Sequence, residues 1–215
     1  KEFQEVFRYG ITALKHGFSE DDWRRYIFFT EILMETQLFR NLTTWIISRV
    51  PIIENPKIVE VDPLPPIVST RIYQRTSGEV YYIDSHFISE NPVMIETQQE
   101  YMRRYMVTGD IITSMEEKFS QIENADMYVF ASIESWKRGW DTLIGLAEKI
   151  LASGGLLVGV IPLNDKEGLK TLMRAWQVPD FPTAREVMDI LKRLRYTRIR
   201  TNIYGPFMVF MASKR

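Results

Sequence analysis

The sequence contains no cysteine and, in 215 residues, only two histidines, His16 and His86. Without cysteine there is no disulfide, no thiolate nucleophile and no Cys-type zinc site, and two histidines far apart in the chain do not make a histidine metal site. No metal is expected. Charge of one sign is also missing, since 27 Lys and Arg face 28 Asp and Glu for a formal net charge of -1. No whole-molecule field therefore draws the protein to nucleic acid, and such binding would need a local patch. No apolar run has the length needed to cross a bilayer. The charged start, Lys1, Glu2, Glu5 and Arg8, resembles neither a signal peptide nor a transit peptide, which predicts a soluble, cytoplasmic protein.

The composition that remains is that of a globular protein, 45% hydrophobic and 26% charged. The length suits one main domain with a helical extension. Residues 1–51 show helical spacing of apolar groups, such as Ile27, Phe28, Leu33, Met34 and Leu38, and no strand pattern. Ser19 before Glu20, Asp21 and Asp22 reads as an N-cap with acids at the positive end of a helix dipole. Asn41, Thr43 and Thr44 read as punctuation of a third short helix ending near Pro51.

From residue 52 to 215 short apolar runs of strand length alternate with helical stretches, the pattern of a sheet with crossover helices. The expected strands are Lys57–Val61, Glu79–Ile83, Tyr105–Thr108, Asp126–Ala131 and Gly155–Ile161. Helices are expected over Ile67–Thr76, from Pro92 to Arg104, over Met115–Ile122, from Lys137 to Leu151, and in two stretches between Asp165 and Leu194. Tyr196–Ile203 and Phe207–Met211 are joined by so short a turn, Tyr204-Gly205-Pro206, that they must pair antiparallel.

This order, alternating strands and helices closed by a terminal hairpin, resembles the class I S-adenosylmethionine-dependent methyltransferases. The resemblance covers about three quarters of the chain and rests most on Ile58-Val-Glu-Val-Asp-Pro-Leu-Pro-Pro-Ile67. It implies an α/β fold with a seven-stranded, mostly parallel sheet, helices on both faces and an antiparallel C-terminal hairpin. In the family this stretch is a strand, an acidic residue and a Gly-x-Gly-x-Gly loop. Glu60 matches the acid, while Asp62, Leu64 and Pro66 stand where the three glycines would be. Glycines there adopt backbone angles closed to other residues and let the cofactor touch the main chain. Leu64 adds bulk instead, and Pro63, Pro65 and Pro66 have no amide hydrogen to offer. The resemblance further implies that Asp84, ending the second strand, meets the cofactor ribose and that Asp110, after Gly109, meets the adenine. S-adenosylmethionine is thus the implied cofactor, held by Glu60, Asp62, Leu64, Asp84 and Asp110, through a loop that lacks its glycines.

No universal catalytic residue marks the family, and the residues that could do chemistry are Glu134, Lys137 and His86. Each has a plainer reading: Glu134 and Lys137 as solvated or paired charges at a helix start, His86 as an incidental loop residue. Glu60 and Asp84 can likewise be strand-end carboxylates and Asp110 an N-cap. Trp136 and Trp140, four apart, either wall a substrate or pack in the core. The run Lys192-Arg-Leu-Arg-Tyr-Thr-Arg-Ile-Arg200 either contacts phosphates or is solvated. The aromatic residues of the N-terminal helices, Trp23, Tyr26, Phe28, Phe29, Phe39 and Trp45, mark a protein partner or homo-oligomer surface if exposed and complete the core if buried. Two functions follow: a methyltransferase homologue with weakened or lost cofactor binding, acting as a protein-binding module, or an active methyltransferase with an unusual loop.

Overall fold

The computed structural model describes residues 20–84, 92–163, 167–175 and 177–215. Two helices, α1 (Glu20–Glu35) and α2 (Gln37–Ile47), come first; Ser19, the expected cap, lies outside the described residues. Phe39, Leu42, Trp45 and Ile46 give α2 one buried stripe. Asn41, Thr43 and Thr44 lie inside this helix rather than breaking it, and Thr43 is fully buried. Packing of the apolar stripe outweighs the weak helix preference of these residues.

The sheet follows, from β1 (Lys57–Val61), α3 (Ile67–Thr76), β2 (Glu79–Ile83), α4 (Pro92–Arg104), β3 (Gly109–Ile112), α5 (Met115–Ile122) and β4 (Ala125–Phe130). The chain continues through α6 (Ile133–Trp136), α7 (Trp140–Ile150), β5 (Leu151–Pro162), α8 (Glu167–Ala175), α9 (Ala184–Arg193), β6 (Thr197–Tyr204) and β7 (Phe207–Ser213). The seven strands run in the order β3-β2-β1-β4-β5-β7-β6. The first five are parallel, and β7 enters antiparallel between β5 and β6. Seven buried or nearly buried residues in Phe207–Ser213 suit a strand paired on both edges and covered on both faces.

One continuous core joins the helices α1 and α2 to the sheet. Phe39 of α2 packs on Phe207 of β7, their rings 5.0 Å apart. On β5, Gly159 makes room for the rings of Phe130 and Phe210: a Cβ there would stand 2.3 Å from the Phe210 ring.

The third strand is displaced from its expected place. Tyr105–Thr108 is not a strand; β3 begins at Gly109. The apolar residues Tyr105 to Val107 instead finish α4. Met106 takes a left-handed φ of 50°, its N–H donates to Arg103 O, and Val107 N–H donates to Met102 O. These two bonds are a Schellman closure with a methionine where glycine is usual. The same pair of bonds ends α8 at Gln177 and α9 at Arg195, with φ of 58° and 64°.

Among the described residues no helix is long and apolar enough to cross a membrane.

Candidate functional site

In a parallel sheet the strand order reverses where two neighbouring strands send their chains to opposite sides, and the crevice above that point is where such folds bind ligands. Here β1 lies between β2 and β4, so the crevice lies over the carboxyl ends of β1 and β4. Register sets what stands there. Val61 is level with Ile83 and Glu60 with Val129, so Asp62, Asp84 and the segment after Phe130 emerge together.

The 62–66 loop is built inward. Asp62 has a φ of 42°, the left-handed region that glycine enters freely and aspartate tolerates. Its N–H donates to Ile83 O at 2.8 Å. Its own carbonyl accepts from Ser132 Oγ at 2.7 Å. Its carboxylate is fully buried and takes both arms of Arg138, Nε to Oδ2 at 2.5 Å and Nη2 to Oδ1 at 3.2 Å. Leu64 is 1% exposed, and the Leu64–Pro65 peptide is cis.

Glu60 also turns inward. It is 1% exposed, and one oxygen accepts from Ser69 N–H at 3.2 Å. Ser69 is in the first turn of α3, so Glu60 meets an orphan donor at the positive end of that helix. Burial pushes its carboxyl up to about 7 against the bonds from Ser69. Asp84 is 4% exposed and accepts from Gln98 Nε2 at 2.8 Å. The same nitrogen donates to Pro63 O at 3.0 Å, tying α4 to the loop.

Asp110 does not join this group. With β3 starting at Gly109, Asp110 is level with Tyr81, three residues before Asp84 on the neighbouring strand. It is half exposed and pairs with Lys118 Nζ at 3.0 Å.

At the end of β4, Ser132 caps α6 through a capping box with Ser135. Glu134 is buried, not solvated. It accepts from Lys137 Nζ at 2.6 Å and from the buried hydroxyl of Tyr26 on α1. Burial and then the Glu134 charge hold the Tyr26 phenol well above its ordinary pKa, so it stays a donor. The Lys137 ammonium lies 5.2 Å over the Tyr26 ring. These three groups latch α1 over the exit of β4. Trp136 and Trp140 are core residues, 0% and 6% exposed. His86 lies outside the described residues, as does the side chain of Trp23.

Arg138 and Gln98 have no place in the expectation from sequence, yet they are the side chains that engage Asp62 and Asp84. One signal for Arg138 was available: a lone acid in a proline-rich loop needs a cation if it is buried. Arg138 also borders a cleft of about 910 Å3 between the start of α7, Pro179–Pro182 and α9. Of the aromatic residues counted at the N-terminus, Tyr26, Phe29, Phe39 and Trp45 are buried, and Phe28 is 54% exposed. Lys192, Arg193, Arg195, Arg198 and Arg200 are exposed. Among the described residues no group of three or more His, Cys, Asp or Glu could hold a metal ion.

No protein-family profile and no curated protein matches the sequence. Solved structures do. The CurJ carbon methyltransferase matches with a TM-score of 0.69 at 13% identity over 99% of this chain and 66% of its own. An O-methyltransferase family 2 protein from Planctomyces limnophilus, solved with apigenin, matches with a TM-score of 0.67 at 14% identity over 95% of this chain and 66% of its own. An O-methyltransferase family protein from Burkholderia thailandensis matches with a TM-score of 0.64 at 9% identity over 99% and 70%. The chain thus spans about two thirds of the length of these proteins, and the likeness is one of fold.

Proposed function

We propose that this chain, which carries the class I S-adenosylmethionine-dependent methyltransferase fold, has weakened or lost binding of that cofactor and works as a protein-binding module. The carrying observation is the Asp62–Arg138 pair. A cofactor seated on this loop brings an ammonium, a carboxylate and two ribose hydroxyls. The loop's own acid is already bound on both oxygens by a guanidinium, and its proline residues present no amide hydrogens. Leu64 fills space that a glycine would leave open. Glu60 is spent on the first turn of α3 and Asp84 on Gln98. The residues present therefore do not suit the group. A fold can persist without its usual activity.

The active-enzyme reading keeps one observation of its own: Asp84 stands at the end of β2, where the fold would meet a ribose, with Oδ2 unbonded among the described residues. Calorimetric titration with S-adenosylmethionine and S-adenosylhomocysteine separates the two. The proposal expects no heat and an unchanged melting temperature at millimolar ligand. Micromolar binding would sink it and establish an enzyme with an unusual loop.

A further inference from the structure

Two acceptor atoms at the carboxyl edge of the sheet lack a donor among the described residues. Asp84 Oδ2 and Gln98 Oε1 are buried, and neither has a hydrogen-bond partner there. Yet the same two side chains are already joined through their other atoms, Gln98 Nε2 to Asp84 Oδ1 at 2.8 Å. The second Gln98 N–H goes to Pro63 O at 3.0 Å. A primary amide has two N–H donors, and both are used. Turning the amide over would aim Oε1 at two oxygen acceptors, so the network fixes its orientation.

Buried oxygens without donors are rare because each loses its water without replacement. An ionised Oδ2 turned toward the carbonyl of the same amide would meet repulsion as well. One proton removes both faults. A neutral carboxyl group and a primary amide can close a ring of two hydrogen bonds, N–H to the acid carbonyl and acid O–H to the amide carbonyl.

We propose that Asp84 carries a proton in the folded protein and closes a two-bond acid–amide pair with Gln98, which makes Gln98 the side chain that withholds this carboxyl from hydroxyl- or amine-bearing ligands. The surroundings suit a neutral acid. Asp84 is 4% exposed, and Gln98 is fully buried. Among the described residues, the charged groups that act on it are Asp62 from the loop after β1 and Arg138 from the turn before α7, and these two neutralise each other. Burial is the main influence on the Asp84 carboxyl and lifts it to about 7; the bond from Gln98 and the Arg138 charge oppose this, and the Asp62 charge adds to it.

The pairing is distinct from the loss of cofactor binding, and its test needs no cofactor, so either reading can fail alone. Asp84→Asn replaces the neutral acid with a group whose NH2 donates to Gln98 Oε1 and whose carbonyl accepts from Nε2. Urea denaturation from about pH 5 to about pH 8 gives the folding constant of each variant. A carboxyl raised in the folded state stabilises fully below its unfolded pKa, and that contribution is lost as pH rises to the folded value. Each such proton makes the folding constant fall about tenfold per pH unit in that window. Glu60 contributes one of these falls and Asp84 the other. Asp84→Asn should remove one, so that its folding constant falls about tenfold less per pH unit than that of the wild type. It should also be no less stable than the wild type at about pH 8, where Asp84→Ala is less stable. An unchanged pH slope, or destabilisation of Asp84→Asn equal to that of Asp84→Ala, would overturn the proposal. Carbon-13 NMR of wild-type protein labelled at aspartate gives a reading free of substitutions. One aspartate carboxyl titrating near neutrality supports the pair; all titrating in the ordinary acid range would refute it.

Discussion

Replacing Arg138 by methionine keeps the hydrophobic stem and removes the charge that faces Asp62. The Asp62 carboxylate is fully buried and Arg138 is 17% exposed, with two bonds between them. An exposed pair of this kind is worth about 0.2–1 kcal/mol. Stripping one partner from a buried pair costs about 3–5 kcal/mol, because the remaining charge has neither water nor a counter-ion. Against a total stability of roughly 5–15 kcal/mol, and about 2–4 °C for each kcal/mol in a chain of this size, Arg138→Met should lower the melting temperature by roughly 6–20 °C. The double variant Asp62→Asn with Arg138→Met should regain much of that loss, since neither charge is left buried, and asparagine tolerates the left-handed φ of position 62. The single variant should also lose less at acid pH than at alkaline pH, since an unpartnered Asp62 can take a proton instead. Chemical and thermal denaturation of the four proteins in the cycle is the assay. A melting temperature for Arg138→Met within about 2 °C of the wild type, or a double variant no better than the single, would refute the buried-pair argument.

Tyr26→Phe removes the hydroxyl that α1 offers to Glu134; a bond to a charged acceptor is worth about 1.5–3 kcal/mol. Hydrogen exchange should quicken first in α1, and uniform loss across the sheet would show that the latch is not local. Arg195→Gly should stabilise the protein by about 1–2 kcal/mol, since a left-handed φ of 64° costs a non-glycine residue about that much. A lower melting temperature would mean that the arginine side chain contributes more than its backbone strain costs.

The first half of the sheet was legible because its signals are local. The limits of β1, α3, β2 and α4 coincide with their sequence patterns, which end at prolines and at glycine-bearing or polar turns. β3 was misplaced because the apolar residues Tyr105 to Val107 read as a strand, whereas they close α4 around a left-handed Met106, with no glycine to mark the turn. The ends of α8 and α9, closed the same way by Gln177 and Arg195, were still legible because the apolar helical spacing stops there. At the site, Glu60, Asp62 and Asp84 could be placed because they lie in or directly after strands whose register is regular. Their partners could not. Gln98 is 14 residues from Asp84, Arg138 is 76 from Asp62 and Tyr26 is 108 from Glu134, and no periodicity links such positions. Asp110, expected just past the third strand, lies inside it because that strand begins at Gly109.

The position of β7 has a consequence for how the chain comes into being. As it emerges from the ribosome, β1 to β5 can pair in turn, each strand meeting a neighbour already made. β6 cannot do so. Among the described residues its only partner in the sheet is β7, which is synthesised after it. The nascent protein must therefore hold β6, and the open flank of β5 beside it, without neighbours until Phe207–Ser213 appears. A lesion that deletes this last strand removes two strands from the sheet and uncovers a third.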